Sequence, residues 1–158
     1  MSENRVPAAV SWGLLAAWIL NDAEELATMA RFGGLPQRRV NTAIGLMGVL
    51  VAAAAADGAR TGGRSAFFRT SVAGFGLHGF THLASAAVLR RYTPGLATAP
   101  TVVIPYAWWA ARRLRAAGMP LTRAHAARGV GLLLASLGAV HAVAARVGPS
   151  RAWTEPGR

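Results

Sequence analysis

A chain of 158 residues suits a single domain, and at 53% hydrophobic, 15% charged and a mean hydropathy of +0.34 it carries less charge than a soluble domain, where about 25% is usual. The net charge of +11 comes from arginine alone, because the chain has no lysine; these arginines flank apolar runs and lack interleaved aromatics, which favours lipid headgroups and argues against nucleic acid as a partner. Cysteine is absent, which excludes disulfides, thiolate metal ligands and a cysteine nucleophile.

Apolar runs punctuated by short basic loops predict an all-α, polytopic membrane helical bundle of about five transmembrane helices, forming one membrane domain over residues 1–158. The first helix is predicted over residues 8–30, long enough for a bilayer core that takes about 20 residues. Its position could mimic a signal peptide, but no small-residue cleavage site follows and acids sit inside it, so a retained helix is expected. Gly33, Gly34 and Pro36 then break the chain. A short second helix is predicted over 40–56, a third over 66–89 and a fourth over 96–111, which begins with Pro100 and Pro105 and ends in Trp108, Trp109 and arginines. A polar loop through Pro120, Arg123 and His125 leads to the fifth, over 127–147, and a loose polar tail. Arginine is nearly balanced between the two sides, so orientation rests on the arginine-dense loop before the fifth helix, which leans that loop and the N-terminus towards the cytoplasm. The expected location is a membrane, crossed several times.

Polar residues inside these runs mark a candidate site. Three of the six acidic residues, Asp22, Glu24 and Glu25, lie in the first helix. Asn21, Glu24, Glu25 and Thr28 follow i, i+3, i+4, i+7 spacing and share one face, with Asp22 at its edge. Two adjacent glutamates in a low-dielectric interior require a cation or a proton. In the third helix His78 and His82 are one turn apart, as in helical His pairs that hold one metal ion, and Ser71, Gly74, Thr81 and Ser85 share their face. The fifth helix contributes His141. The second carries a small-residue stripe of Asn41, Gly45, Gly48, Ala52 and Ala55, suited to close packing.

Depth ties these groups together. Helices one, three and five run in the same direction. Glu24 and Glu25 come about 24 Å along the first, the histidine pair about 15–21 Å along the third and His141 about 21 Å along the fifth. All fall in the half of the membrane nearer the first and third loops, where Asn41 also enters. Blander readings stand beside these: solvated interfacial acids, a structural His–Glu hydrogen bond, a core histidine at 141 and a capping or packing Asn41. His125 reads as a solvated loop residue. Trp108 and Trp109 read as interface anchors, and Arg90 and Arg91 as lipid anchors.

The stretches "NDAEEL" and "GLHGFTHLASAAVLRRYTPGLATAP" together resemble the HXXEE family of small bacterial membrane proteins. The resemblance covers about Trp12 to Pro105 and continues more weakly through the fifth helix. Glu24 and Glu25 match the paired glutamates of the motif, and Asn21 stands where the motif has histidine. The resemblance implies a membrane helical fold and weight on the glutamate pair, and it supplies no reaction.

The functional expectation is an intramembrane metal centre, zinc or iron, held by Glu24, Glu25, His78, His82 and His141, with Asn21, Asp22 and Asn41 behind it. Glu24, Glu25, His78 and His82 would carry the catalysis, hydrolytic or oxidative, on an apolar lipid-like or isoprenoid substrate drawn from membrane lipid. One alternative is metal-free acid–base catalysis, such as isoprenoid cyclisation or isomerisation. Another is a proton or cation transporter, which a homo-oligomer could complete, or a structural membrane subunit.

Overall fold

Prolines and glycines set the helix limits. The computed structural model describes residues 4–32 and 36–146. Helix α1 runs Ala8–Phe32 after Pro7, α2 Gln37–Thr61 after Pro36, α3 Ala66–Leu89, α4 Ile104–Ala116 and α5 Arg123–Arg146. Among the described residues there is no strand. Ser65 caps α3 by accepting from the amide of Phe68 at 3.2 Å. A five-residue π-turn, Ala99–Val103, precedes α4. Pro100 and Pro105 supply no amide hydrogens there, and the wider turn lets the Ile104 amide reach the Ala99 carbonyl instead.

Three helices differ in their limits from the sequence expectation. The fourth, expected over 96–111, divides into the π-turn and α4 and runs on to Ala116, because Pro100 and Pro105 interrupt the amide ladder. The second helix is not short: it continues through Asp57, Gly58 and Arg60. The Arg60 guanidinium pairs with the Asp57 carboxylate at 2.7 Å, one turn apart, so these charges ride on the helix instead of ending it. The fifth helix starts at Arg123, so His125 is no solvated loop residue. It is buried in the first turn, where Thr122 and His125 cap each other: the Thr122 amide donates to His125 Nδ1 at 3.2 Å, and the His125 amide donates to Thr122 Oγ1 at 3.4 Å. Gly33, Gly34, Val147 and the polar tail lie outside the described residues.

The helices form a ring in the order α1, α2, α5, α3, α4, with α2 and α3 also meeting each other. One end is tightly packed. There Val10, Leu14, Phe68, Val72 and Leu114 are fully or almost fully buried, and Tyr106 donates to the Val10 carbonyl at 2.8 Å. Between α3 and α5 the backbones touch: a Cβ on Gly129 would fall 2.7 Å from the Gly74 amide nitrogen. The small-residue stripe of α2 packs only in part. Gly48 lies under the Trp18 ring and Ala55 is buried, but Gly45 faces open space and Asn41 is exposed.

Towards the other end the ring opens around a cavity between α1, α2, α3 and α5. The outer surface carries large apolar side chains, among them Leu20, Val49, Phe80, Val88 and Leu134. Among the described residues three helices, α2, α3 and α5, are long and apolar enough to cross a membrane. That count is lower than the five expected from sequence. Asp22, Glu24 and Glu25 interrupt α1, and α4 is only 13 residues long and ends among arginines.

Replacing Gly129 with alanine is expected to push α3 and α5 apart and destabilise the bundle by about 1–3 kcal/mol. Gly45→Ala, facing open space, is expected to be neutral or stabilising by up to about 1 kcal/mol. Thermal unfolding of both variants in one detergent checks the contrast.

Candidate metal centre

Adjacent residues on a helix diverge by about 100°, and the two glutamates of α1 accordingly do different things. Glu25 is buried and points at α3. Its Oε1 lies 3.2 Å from His82 Nε2 and 3.8 Å from His78 Nε2, and the two histidine nitrogens are 2.9 Å apart. One turn of α3 places both rings on the same face, edge to face. Three ligand-type atoms thus converge on one point, an arrangement that could hold a metal ion. Tetrahedral coordination at 2.0–2.1 Å puts ligand atoms roughly 3.3 Å apart, and the three separations straddle that value.

Glu24 turns the other way, onto the loop between α3 and the π-turn. Its Oε2 accepts from the Thr98 amide at 2.7 Å and the Thr98 hydroxyl at 2.5 Å. Its Oε1 accepts from the Ala97 amide at 3.1 Å and from the Tyr92 hydroxyl. These two amides open the helical run that becomes α4, where backbone N–H groups otherwise lack partners and favour an anion. The carboxylate beside Tyr92 raises the phenol above its ordinary value of 10.0, chiefly through that hydrogen bond.

Asn21 joins the two systems. It is fully buried; its amide donates to Glu25 Oε1 at 2.8 Å, and its carbonyl oxygen accepts from Thr98 Oγ1 at 3.0 Å. Thr98 has one hydroxyl proton, shared between Asn21 and Glu24. The same loop fixes His82. Gly95, at φ +83°, lies against the imidazole so closely that a Cβ would fall on the ring.

The remaining candidates fall at different distances from this centre. Asp22 is buried and lines the cavity one turn before Glu25. His78 and Glu25 line it too, so the convergence point borders the cavity. His141 stands apart: it is exposed on α5 and lines the cavity without joining the Glu25–His78–His82 group. Asn41 is also remote, exposed at the start of α2 and accepting from Gln37 at 2.8 Å. Thr28, on the predicted polar face, bonds back to the Glu24 carbonyl at 2.8 Å. Trp108 and Trp109 carry Arg112 and Arg113 over their rings at 4.7 and 5.9 Å, as interface anchors would.

Sequence reading missed Tyr92, Gly95 and Thr98. A threonine directly ahead of Ala-Pro is a helix-start signature, and it was the available signal for Thr98. Pro94-Gly95 is a turn signal that anticipates the positive φ of Gly95, whereas nothing local marks Tyr92.

A family model described as "Protein of unknown function with HXXEE motif" matches residues 12–110. Comparisons with curated proteins and with solved structures find no match.

Because the Tyr92 phenol is raised, its contribution to stability is complete below about pH 10 and is lost as pH rises through the folded-state value. Unfolding measured from pH 8 to 12 is expected to show that alkaline loss in the wild type and a smaller one in Tyr92→Phe. Glu24→Ala removes a charged acceptor from four donors and is expected to cost about 2–3 kcal/mol, with faster hydrogen exchange at the Ala97 and Thr98 amides. Unchanged exchange there would show that the carboxylate does not hold the loop.

Proposed function

The chain belongs to the HXXEE family, and from that premise we propose that it is a metal-dependent membrane enzyme acting on an apolar, lipid-like substrate, with Glu25, His78 and His82 as the ligands of one divalent cation. The observation that carries this reading is the convergence of Glu25 Oε1 and the two Nε2 atoms, 2.9–3.8 Å apart, beside a largely apolar cavity. Two histidines and one carboxylate suit zinc in a hydrolytic site or iron(II) in an oxidative one, each leaving positions for water or substrate. Such a cation supplies either an activated water or a site for dioxygen. Asn21, donating to the ligating oxygen of Glu25, has the place of the hydrogen-bond partner that orients a metal ligand. Glu24, engaged by four donors, holds the scaffold and is not a ligand in this reading.

All five helices are proposed to lie in the membrane, in a multi-pass arrangement within a bacterial cytoplasmic membrane. The exposed apolar side chains on α1 and α4, including Ile19, Leu20, Leu26 and Trp108, support counting these two with the three apolar helices. The packed core that closes one end of the cavity weighs against a transport path.

One observation favours a second reading. A nitrogen–nitrogen distance of 2.9 Å is also that of a hydrogen bond, with one imidazole donating to the other beside a carboxylate. A metal-free acid–base site would use the group in that way.

Metal analysis of the purified protein separates the two. About one equivalent of zinc or iron per chain is expected. His82→Ala and Glu25→Gln should remove most of it, and Asn21→Ala should weaken affinity about 10–100-fold. Glu24→Gln should retain the metal. A wild-type protein that is folded and takes up no metal overturns the proposal in favour of acid–base chemistry.

A further inference from the structure

The cavity has a direction, and the carboxylates and imidazole that α1 and α3 supply lie between its two ends. Its volume is about 160 Å³, smaller than a drug-sized site and suited to a narrow chain. At the closed end Trp18 packs over Gly48, and Gly74 meets Gly129 backbone to backbone. At the other end are Met29 on α1, Val40 and Ala43 on α2, and the exposed His141 on α5. Successive lining residues of α1 are Trp18, Asp22, Glu25 and Met29. At 1.5 Å per residue, Glu25 stands about 10 Å above Trp18 and about 6 Å below Met29. From Gly129 to His141 along α5 the rise is about 18 Å, which matches the span on α1.

The walls differ in chemistry. Asp22, Glu25 and His78 come from α1 and α3 at the middle level, whereas α2 and α5 offer Leu50, Val51, Leu132 and Leu133 opposite and below. Ser136, on the α5 wall, spends its hydroxyl on the Leu132 carbonyl at 2.7 Å and so presents no free donor. Thr70 and Ser71 border the floor. A ligand filling this space therefore meets carboxylate and imidazole at mid-depth and mainly apolar side chains towards the closed end. The mouth lies near the C-terminal ends of α1 and α5.

We infer that the occupant is a single-chain amphiphile whose reactive polar group sits at the Glu25–His78 level, with an apolar tail about 10 Å long reaching to Trp18. This rests on the metal reading for the reactive group and on the cavity alone for the tail.

A series of straight-chain alkyl hydroxamic acids tests it, because the hydroxamate binds a site metal and the tail length is set by synthesis. Binding is measured to metal-loaded protein in lipid nanodiscs, against protein-free discs and referred to free aqueous concentration. Affinity should rise about fourfold per methylene, the fold-change equivalent of about 0.8 kcal/mol, and level off once the tail spans about 10 Å. Val51→Phe and, independently, Leu132→Phe should bring the plateau to shorter chains and leave the shortest hydroxamate unaffected. Hydroxamate binding that is independent of chain length, or that rises with no plateau, overturns the tail assignment while leaving the metal reading intact. Matched alkanols on metal-stripped protein supply the converse arm: the same plateau there, with no added hydroxamate affinity on metal loading, supports the tail and refutes the metal. No binding of either series overturns the inference.

Discussion

The structure turns on one carboxylate, that of Glu24, held by the Ala97 and Thr98 amides and the hydroxyls of Thr98 and Tyr92. Glu24 is only half-buried, yet its carboxylate has four donors, and every one comes from the segment that leads into α4. The interaction therefore fixes the rotation of α1 about its own axis. Glu25, the next residue, has no freedom left: about 100° further round, it must face α3 and the histidine pair. The loop that binds Glu24 also lays Gly95 against the His82 ring, so the same few residues set both sides of the Glu25–His82 contact.

The two ends of the bundle divide the labour. Between helices in lipid there is little hydrophobic drive, and association relies on close packing and on interhelical hydrogen bonds. The closed end uses packing, through the touching backbones of Gly74 and Gly129 and the buried Phe68 over Gly58. The open end uses hydrogen bonds, and there α1 and α3 are joined by polar side chains across the edge of a cavity. Stability concentrated at one end leaves the other free to hold space, which a binding site needs and a fully packed core forbids.

Asn21 gives the departure from the family motif a physical form. Where the motif has histidine, this chain has a fully buried amide that donates to Glu25 and accepts from Thr98. An amide can do both at once, since it carries a donor and an acceptor on the same carbon. The residue therefore couples the loop clamp to the Glu25 carboxylate.

Much of this was legible in the sequence. Apolar run length and the 3.6-residue period placed five helices, put α3 at residues 66–89, and located Glu25, His78 and His82 at a common depth. Those properties are local or repeat along one helix, and sequence spacing carries them directly. The sequence alone could not separate Glu24 from Glu25, because both lie within one polar face about 100° wide. It could not say that Asn21 touches both partners, or that His141 and Asn41 stand away from the centre. Nor could it reveal that Tyr92, Ala97 and Thr98, about 70 residues from Glu24, complete its surroundings. Those facts depend on how far each helix is turned and on where a loop lands, and only the packing of α1, α3 and the π-turn against one another decides them.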